Sequence, residues 1–160
     1  MATGHAEEDP ADKRRWVLSF RVRHPSADLA ALAERIGDAF GADRRVLWRA
    51  GDLNPRANPP QPRSSSYCSV RWVSRGGTLE QALEDALAAL APMQADLAEL
   101  RATGGRFDFF AGLFLRQTMG VGLPPALLAH LGAAGVATAR RSRCAHPDRA
   151  GAAPWRQGVE

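Results

Sequence analysis

The chain has 160 residues, 45% of them apolar, with a formal net charge of +4 and a sequence pI near 10. That length fits one domain with a substantial core, and the apolar fraction excludes disorder throughout. The basicity invites a nucleic-acid reading, but its distribution argues against one: residues 1–139 hold 16 Lys or Arg against 15 Asp or Glu, while residues 140–160 hold five Arg against Asp148 and Glu160.

The excess charge thus belongs to the tail, through which only nonspecific nucleic-acid contact is expected. Of the 21 basic residues all but Lys13 are arginine, so an arginine alone carries little weight as a phosphate ligand. The first 14 residues are polar, contain Glu7, Glu8 and Asp9, and read as a disordered segment without the charged-then-apolar order of a signal peptide. No apolar run approaches the roughly 18–20 residues of a membrane span. Cys68 and Cys144 do not make a disulfide framework, and a cytoplasmic protein is expected.

Along the chain, WVLSFRVRH alternates Trp16, Leu18, Phe20 and Val22 with Ser19, Arg21 and Arg23, the period of a half-buried antiparallel strand. A helix follows. Ser26 is its expected N-cap, Leu29, Leu32, Ala33, Ile36 and Phe40 form its apolar stripe, and Gly41 ends it. RRVLW reads as a short strand with Val46 and Trp48 on one face. The stretch from Gly51 to Pro62 then carries four prolines and reads as a long exposed connection.

In SSSYCSVRWVS, Cys68, Val70 and Trp72 share one face, and Tyr67, Ser69, Arg71 and Val73 the other. The clearest helix starts at Thr78, which has capping-box spacing to Gln81, and carries a stripe from Leu79 to Leu100 interrupted by Pro92. Gly104 and Gly105 stop it. RFDFFAGLFLR is apolar on both faces, as a central strand is. A glycine loop, TMGVGL, leads to a short helix with Leu127, Leu128 and Leu131 inward, and VATARR reads as a last short strand. From Arg141 onward periodicity vanishes, and 141–160 read as a disordered basic tail.

Strand, helix, strand, strand, helix, strand is the order of the split βαβ unit. The expected fold is therefore α+β: a ferredoxin-like antiparallel sheet over residues 15–140, two main helices on one face and an additional C-terminal helix.

The helix TLEQALEDALAALAPMQADLAEL with its internal Ala-Pro, the following GGRFDFFAGLFLR, the segment GLPPALLAHLGAAGV and the WRAGD position resemble the bacterial domain of unknown function 4279 family over roughly residues 16–139. The resemblance implies no activity. The family pattern closes on a short acidic strand ending in tyrosine, and VATARRSRCAHPDRAG departs from it.

Three arrangements could carry chemistry. Arg44, Arg45, Arg49, Arg56 and Arg63 around Trp48 suit an anion or a nucleic-acid strand, set against a solvated turn with Trp48 in the core. Gly51-Asp52 is either a carboxylate at a cleft mouth or a turn. Arg49, Asp52 and Arg71 are the candidate ligand-binding residues, if the end of the Trp48 strand meets the Arg71 strand. For metal, only Cys144 and His146 lie close, and tetrahedral zinc wants four ligands. No cofactor loop, nucleophile elbow or HExxH pattern is present. The expectation is a non-catalytic binding or protein-interaction module. The alternatives are an enzyme or binding protein for a small anion, and a nucleic-acid binder using the sheet face and tail.

Overall fold

A computed structural model describes residues 16–42, 44–73, 77–115 and 122–144 of the chain. The N-terminal segment, the tail beyond Cys144 and most of the glycine loop TMGVGL lie outside these residues. The strands are β1 (Trp16–His24), β2 (Arg45–Trp48), β3 (Leu53–Asn54), β4 (Gln61–Pro62), β5 (Ser66–Arg71), β6 (Arg106–Leu115) and β7 (Ala137–Cys144). The helices are α1 (Ala30–Phe40), α2 (Leu79–Leu90), α3 (Gln94–Ala102) and α4 (Pro125–Ala133). Among the described residues no helix is long and apolar enough to cross a membrane.

The fold is α+β. Four antiparallel strands run in the order β2-β5-β1-β6, and β7 adds a fifth, parallel to β6. The expected sheet was antiparallel throughout, with the tail beginning at Arg141. Instead α4 carries the chain back to start β7 in the same direction as β6, and that strand runs on to Cys144. The strand expected at VATARR is present, but SRC continues it without any apolar alternation, held by the backbone ladder to β6, so its full length and its direction were not legible in the side-chain pattern.

Alternation along each strand sends one set of side chains under the helices. Leu18, Phe20 and Val22 of β1, Cys68 and Val70 of β5, and Phe107, Phe109 and Ala111 of β6 are buried there against Leu32, Ile36 and Phe40 of α1 and Leu79, Leu83 and Leu90 of α2. Phe20 sits at the centre, with ring centroids 5.1 Å from Phe109, 6.2 Å from Phe107 and 6.5 Å from Phe40. Burying such side chains contributes roughly 1.5–3 kcal/mol each.

Pro92 acts as its missing N–H requires. The long helix breaks into a 3-10 turn at Ala91–Met93 and restarts as α3. Thr78 Oγ1 accepts from the Gln81 N–H at 3.3 Å, but the Gln81 amide donates to Asp85, so only half of the capping box forms. Gly41, with φ of 62°, ends α1 as expected.

Two expectations fail locally. Ser26 does not cap α1, because His24 already organises the turn: its Nδ1 accepts from the Ser26 and Ala27 N–H groups at 3.0 and 2.7 Å. The helix instead begins at Ala30, whose N–H is donated to Asp28 Oδ1. In α4, Leu127 and Leu131 are buried one turn apart, while Leu128, a third of a turn round, is 49% exposed.

The proline-rich connection is more ordered than a loop. The Gly51 N–H is donated to the Arg63 carbonyl and the Arg63 N–H to the Asp52 carbonyl, each at 2.9 Å. Leu53 then pairs with Pro62 and Asn54 with Gln61. The β2–β5 hairpin thereby continues as an arm projecting from one edge of the sheet, and Leu53 on it is 67% exposed.

Candidate functional site

The helices cover one face of the sheet, and among the described residues no element covers the other. Residues directly opposite in an antiparallel ladder share a side, so the register lays out this open face in rows. One row runs Trp48, Tyr67, Arg23, Arg106; the next Val46, Ser69, Arg21, Asp108; the third contains Arg71, Ser19 and Phe110.

In the first row Trp48 and Tyr67 stack with centroids 4.2 Å apart and planes at 22°. Arg63, at the base of the arm, lays its guanidinium 4.0 Å over the outer face of Trp48 and donates from Nη2 to Asn54 Oδ1 at 3.3 Å. Arg23 lies 5.4 Å over Tyr67. The result is a four-membered stack, Arg63–Trp48–Tyr67–Arg23, with a cation at each end. Arg106 is opposite Arg23 in the ladder, both are exposed, and neither has a carboxylate within ion-pair distance among the described residues.

The second row is neutralised from within. Arg21 Nε donates to Asp108 Oδ1 at 2.5 Å, and the Arg21 guanidinium lies 4.5 Å over Phe110. The register sets Asp108 between β1 and β7, opposite Arg21, with its side chain 24% exposed.

The sequence-derived ligand residues are placed as follows. Arg49 and Asp52 meet, but through the backbone: the Arg49 N–H is donated to Asp52 Oδ2 at 2.7 Å, closing the turn into the arm. The Arg49 guanidinium goes instead to Asp28 Oδ2, at 2.8 Å. Arg71 is opposite Ser19, four residues along β5 from Tyr67, which separates it from the Trp48 row by about 13 Å. The three are not brought together.

Trp48 is not in the core. It is half-buried on the open face, and its neighbour Val46 is 47% exposed at the sheet edge. Arg23 was legible as an open-face residue from the alternation of β1. Arg63 and Arg106 were missed as members of the site, since nothing local in sequence tells where the arm returns or which β6 residue meets Arg23.

Titratable groups here are few. The Ala30 N–H donated to Asp28 holds that carboxyl below its ordinary value, and the Arg49 charge adds to this against partial desolvation. Cys68, under the sheet, is pushed up to about 12 by burial. Among the described residues no three His, Cys, Asp or Glu side chains converge as metal ligands would. What the open face can do chemically is bind: it offers guanidinium donors and ring edges on a fixed strand lattice.

Comparison of the chain with protein-family models and with curated proteins finds no match.

Proposed function

We propose that this protein is a non-catalytic binding module that engages a protein partner with the open face of its sheet. The observation that carries this reading is the Arg63–Trp48–Tyr67–Arg23 stack on a face that no described element covers. Trp, Tyr and Arg are the residue types that concentrate binding energy at protein interfaces. Here they are held by two strands and an arm, so little ordering entropy remains to be lost on binding.

The order β2-β5-β1-β6, with two βαβ crossovers, supports a split βαβ, ferredoxin-like unit to which α4 and β7 are appended. We place the chain as a divergent member of the bacterial domain of unknown function 4279 family acting in the cytoplasm, on the motifs quoted above. The enzymatic reading for a small anion gains nothing from the geometry, because the Asp52 carboxylate is engaged in its own turn and the Arg49 guanidinium is paired with Asp28.

A pull-down with reversed charge on the sheet face tests the proposal. The wild-type chain should enrich a partner from a lysate of its host, and an Arg23→Glu/Arg106→Glu bait with unchanged circular dichroism should lose it. Enrichment of nothing by the wild type, or of the same partner by both baits, would overturn it.

A further inference from the structure

The charge of this protein is polarised across the sheet in a way the near-neutral total for residues 1–139 conceals. On the helical side α1 carries Glu34 and Asp38, α2 carries Glu80, Glu84 and Asp85, and α3 carries Asp96 and Glu99, against Arg35, Arg101 and Arg45 of β2, which lies 3.6 Å from Glu34 and 3.9 Å from Asp38. On the open side, Asp108 is already paired with Arg21. That leaves Arg23, Arg63, Arg71 and Arg106 without a carboxylate within ion-pair distance among the described residues.

Arg23 and Arg106 add a second observation. Like charges directly opposite on a ladder are unfavourable, and an anion between them would relieve the repulsion. Arg63 and Arg23 lie 4.0 and 5.4 Å over their rings, and a guanidinium can take a carboxylate in a fork through its N–H groups.

We infer that the partner is an acidic polypeptide segment, bound by carboxylate side chains at Arg63 and at the Arg23–Arg106 pair. This rests on the binding-module reading and names the chemistry of the partner. The steps of 4.0, 4.2 and 5.4 Å along the stack cap the distance between its two guanidiniums at about 14 Å. Acidic side chains two or four residues apart on an extended chain point the same way and are spaced by about 7 or 13 Å, so either spacing fits within that limit. Single-stranded nucleic acid also offers anions, but it binds sheets by stacking bases on free aromatic faces. Here Arg63 lies 4.0 Å over the Trp48 ring, Arg23 5.4 Å over Tyr67 and Arg21 4.5 Å over Phe110, so each ring already has a guanidinium against it.

The experiment is fluorescence anisotropy of a labelled decaglutamate peptide and of a labelled ten-residue oligothymidylate, titrated with the full-length chain at low and physiological salt. Decaglutamate should bind and the oligonucleotide bind more weakly. Arg23→Gln and Arg63→Gln should each weaken the peptide about tenfold, the loss of one charge-assisted hydrogen-bonding group. Arg35→Gln, on the helical side, should leave it unchanged. In ¹⁵N spectra the Nε–H signals of Arg23 and Arg63 should shift on addition of peptide, a readout that altered stability alone would not give.

An oligonucleotide that binds more tightly than the peptide through the same arginines would overturn the acidic-polypeptide assignment and leave the binding-module reading standing. Absence of peptide binding, or binding indifferent to Arg23 and Arg63, would likewise overturn it. If the pull-down still enriched a partner through the sheet face, only the chemistry assigned to that partner would have failed.

Discussion

Single residues here are set by which side of the sheet they face. Cys68 and Tyr67 are neighbours in sequence with opposite fates. The thiol of Cys68 is fully buried and pushed up to about 12 because its thiolate would be stripped of water. In a Cys144→Ser variant, where Cys68 is the sole thiol, a disulfide reagent at pH 8 should react only at the rate of unfolding. Fast native-state labelling would contradict the burial.

The same shift has a pH consequence with a definite sign. Below pH 9 the thiol is protonated in both states. Between 9.0 and about 12 the unfolded thiol ionises while the native one does not, so stability falls as pH rises through that window. His24 illustrates a quieter kind of buried polar residue. With two N–H groups donated to Nδ1, the ring proton sits on Nε2 and is donated to Thr103 Oγ1 at 2.9 Å, tying the turn after β1 to the end of α3.

At the scale of elements, the helix stops are where sequence and structure agree most closely. Gly104 has φ of 100°, and a Cβ on Gly105 would lie 2.6 Å from the Leu100 carbonyl oxygen, a backbone atom that cannot swing aside. Gly105→Ala should therefore cost about 1–3 kcal/mol in urea denaturation. Gly132→Ala, inside α4 where an added Cβ meets nothing within 4 Å, should instead stabilise by up to about 1 kcal/mol through helix propensity. Equal effects of the two would refute this account of the stop.

These stops were legible because they are local. Gly41, Pro92 and the Thr78 cap each act within one turn of chain, and the β1 and β5 alternations reveal which residues share a face. The site was legible only by halves. Its central residues, Arg23 and Tyr67, fell on the polar side of their strands as alternation requires. The stack itself depends on Trp48 reaching Tyr67 across a hairpin closed through Leu53–Pro62 pairing, and no local pattern fixes a register over so long a connection. The Arg21–Asp108 pair depends likewise on a β1–β6 register, as does the parallel strand β7 on its ladder to β6.

For the whole molecule, the acids on the helices and the open-face arginines that have no carboxylate within ion-pair distance among the described residues give the protein a front and a back. Such an arrangement orients an anionic partner before contact, and it does so through rate more than through affinity. A total charge conceals this, since it depends on which face each residue occupies.

The position of β1 has a further consequence, for how the chain reaches this state. β1 lies between β5 and β6, yet Ser19 meets Arg71 and Trp16 meets Leu113. The innermost strand of the sheet is thus made early and must wait for partners that emerge from the ribosome much later. Pairings of such wide sequence separation slow folding, because loop closure comes before any contact rewards it. Stopped-flow refolding should fall in the range of ~1 ms to ~1 s, and relaxation within microseconds would contradict the topology. Until β5 and β6 are available, Leu18, Phe20 and Val22 lack the strand neighbours that flank them in the folded sheet, so on the nascent chain the WVLSF segment is an apolar strand with both edges unpaired.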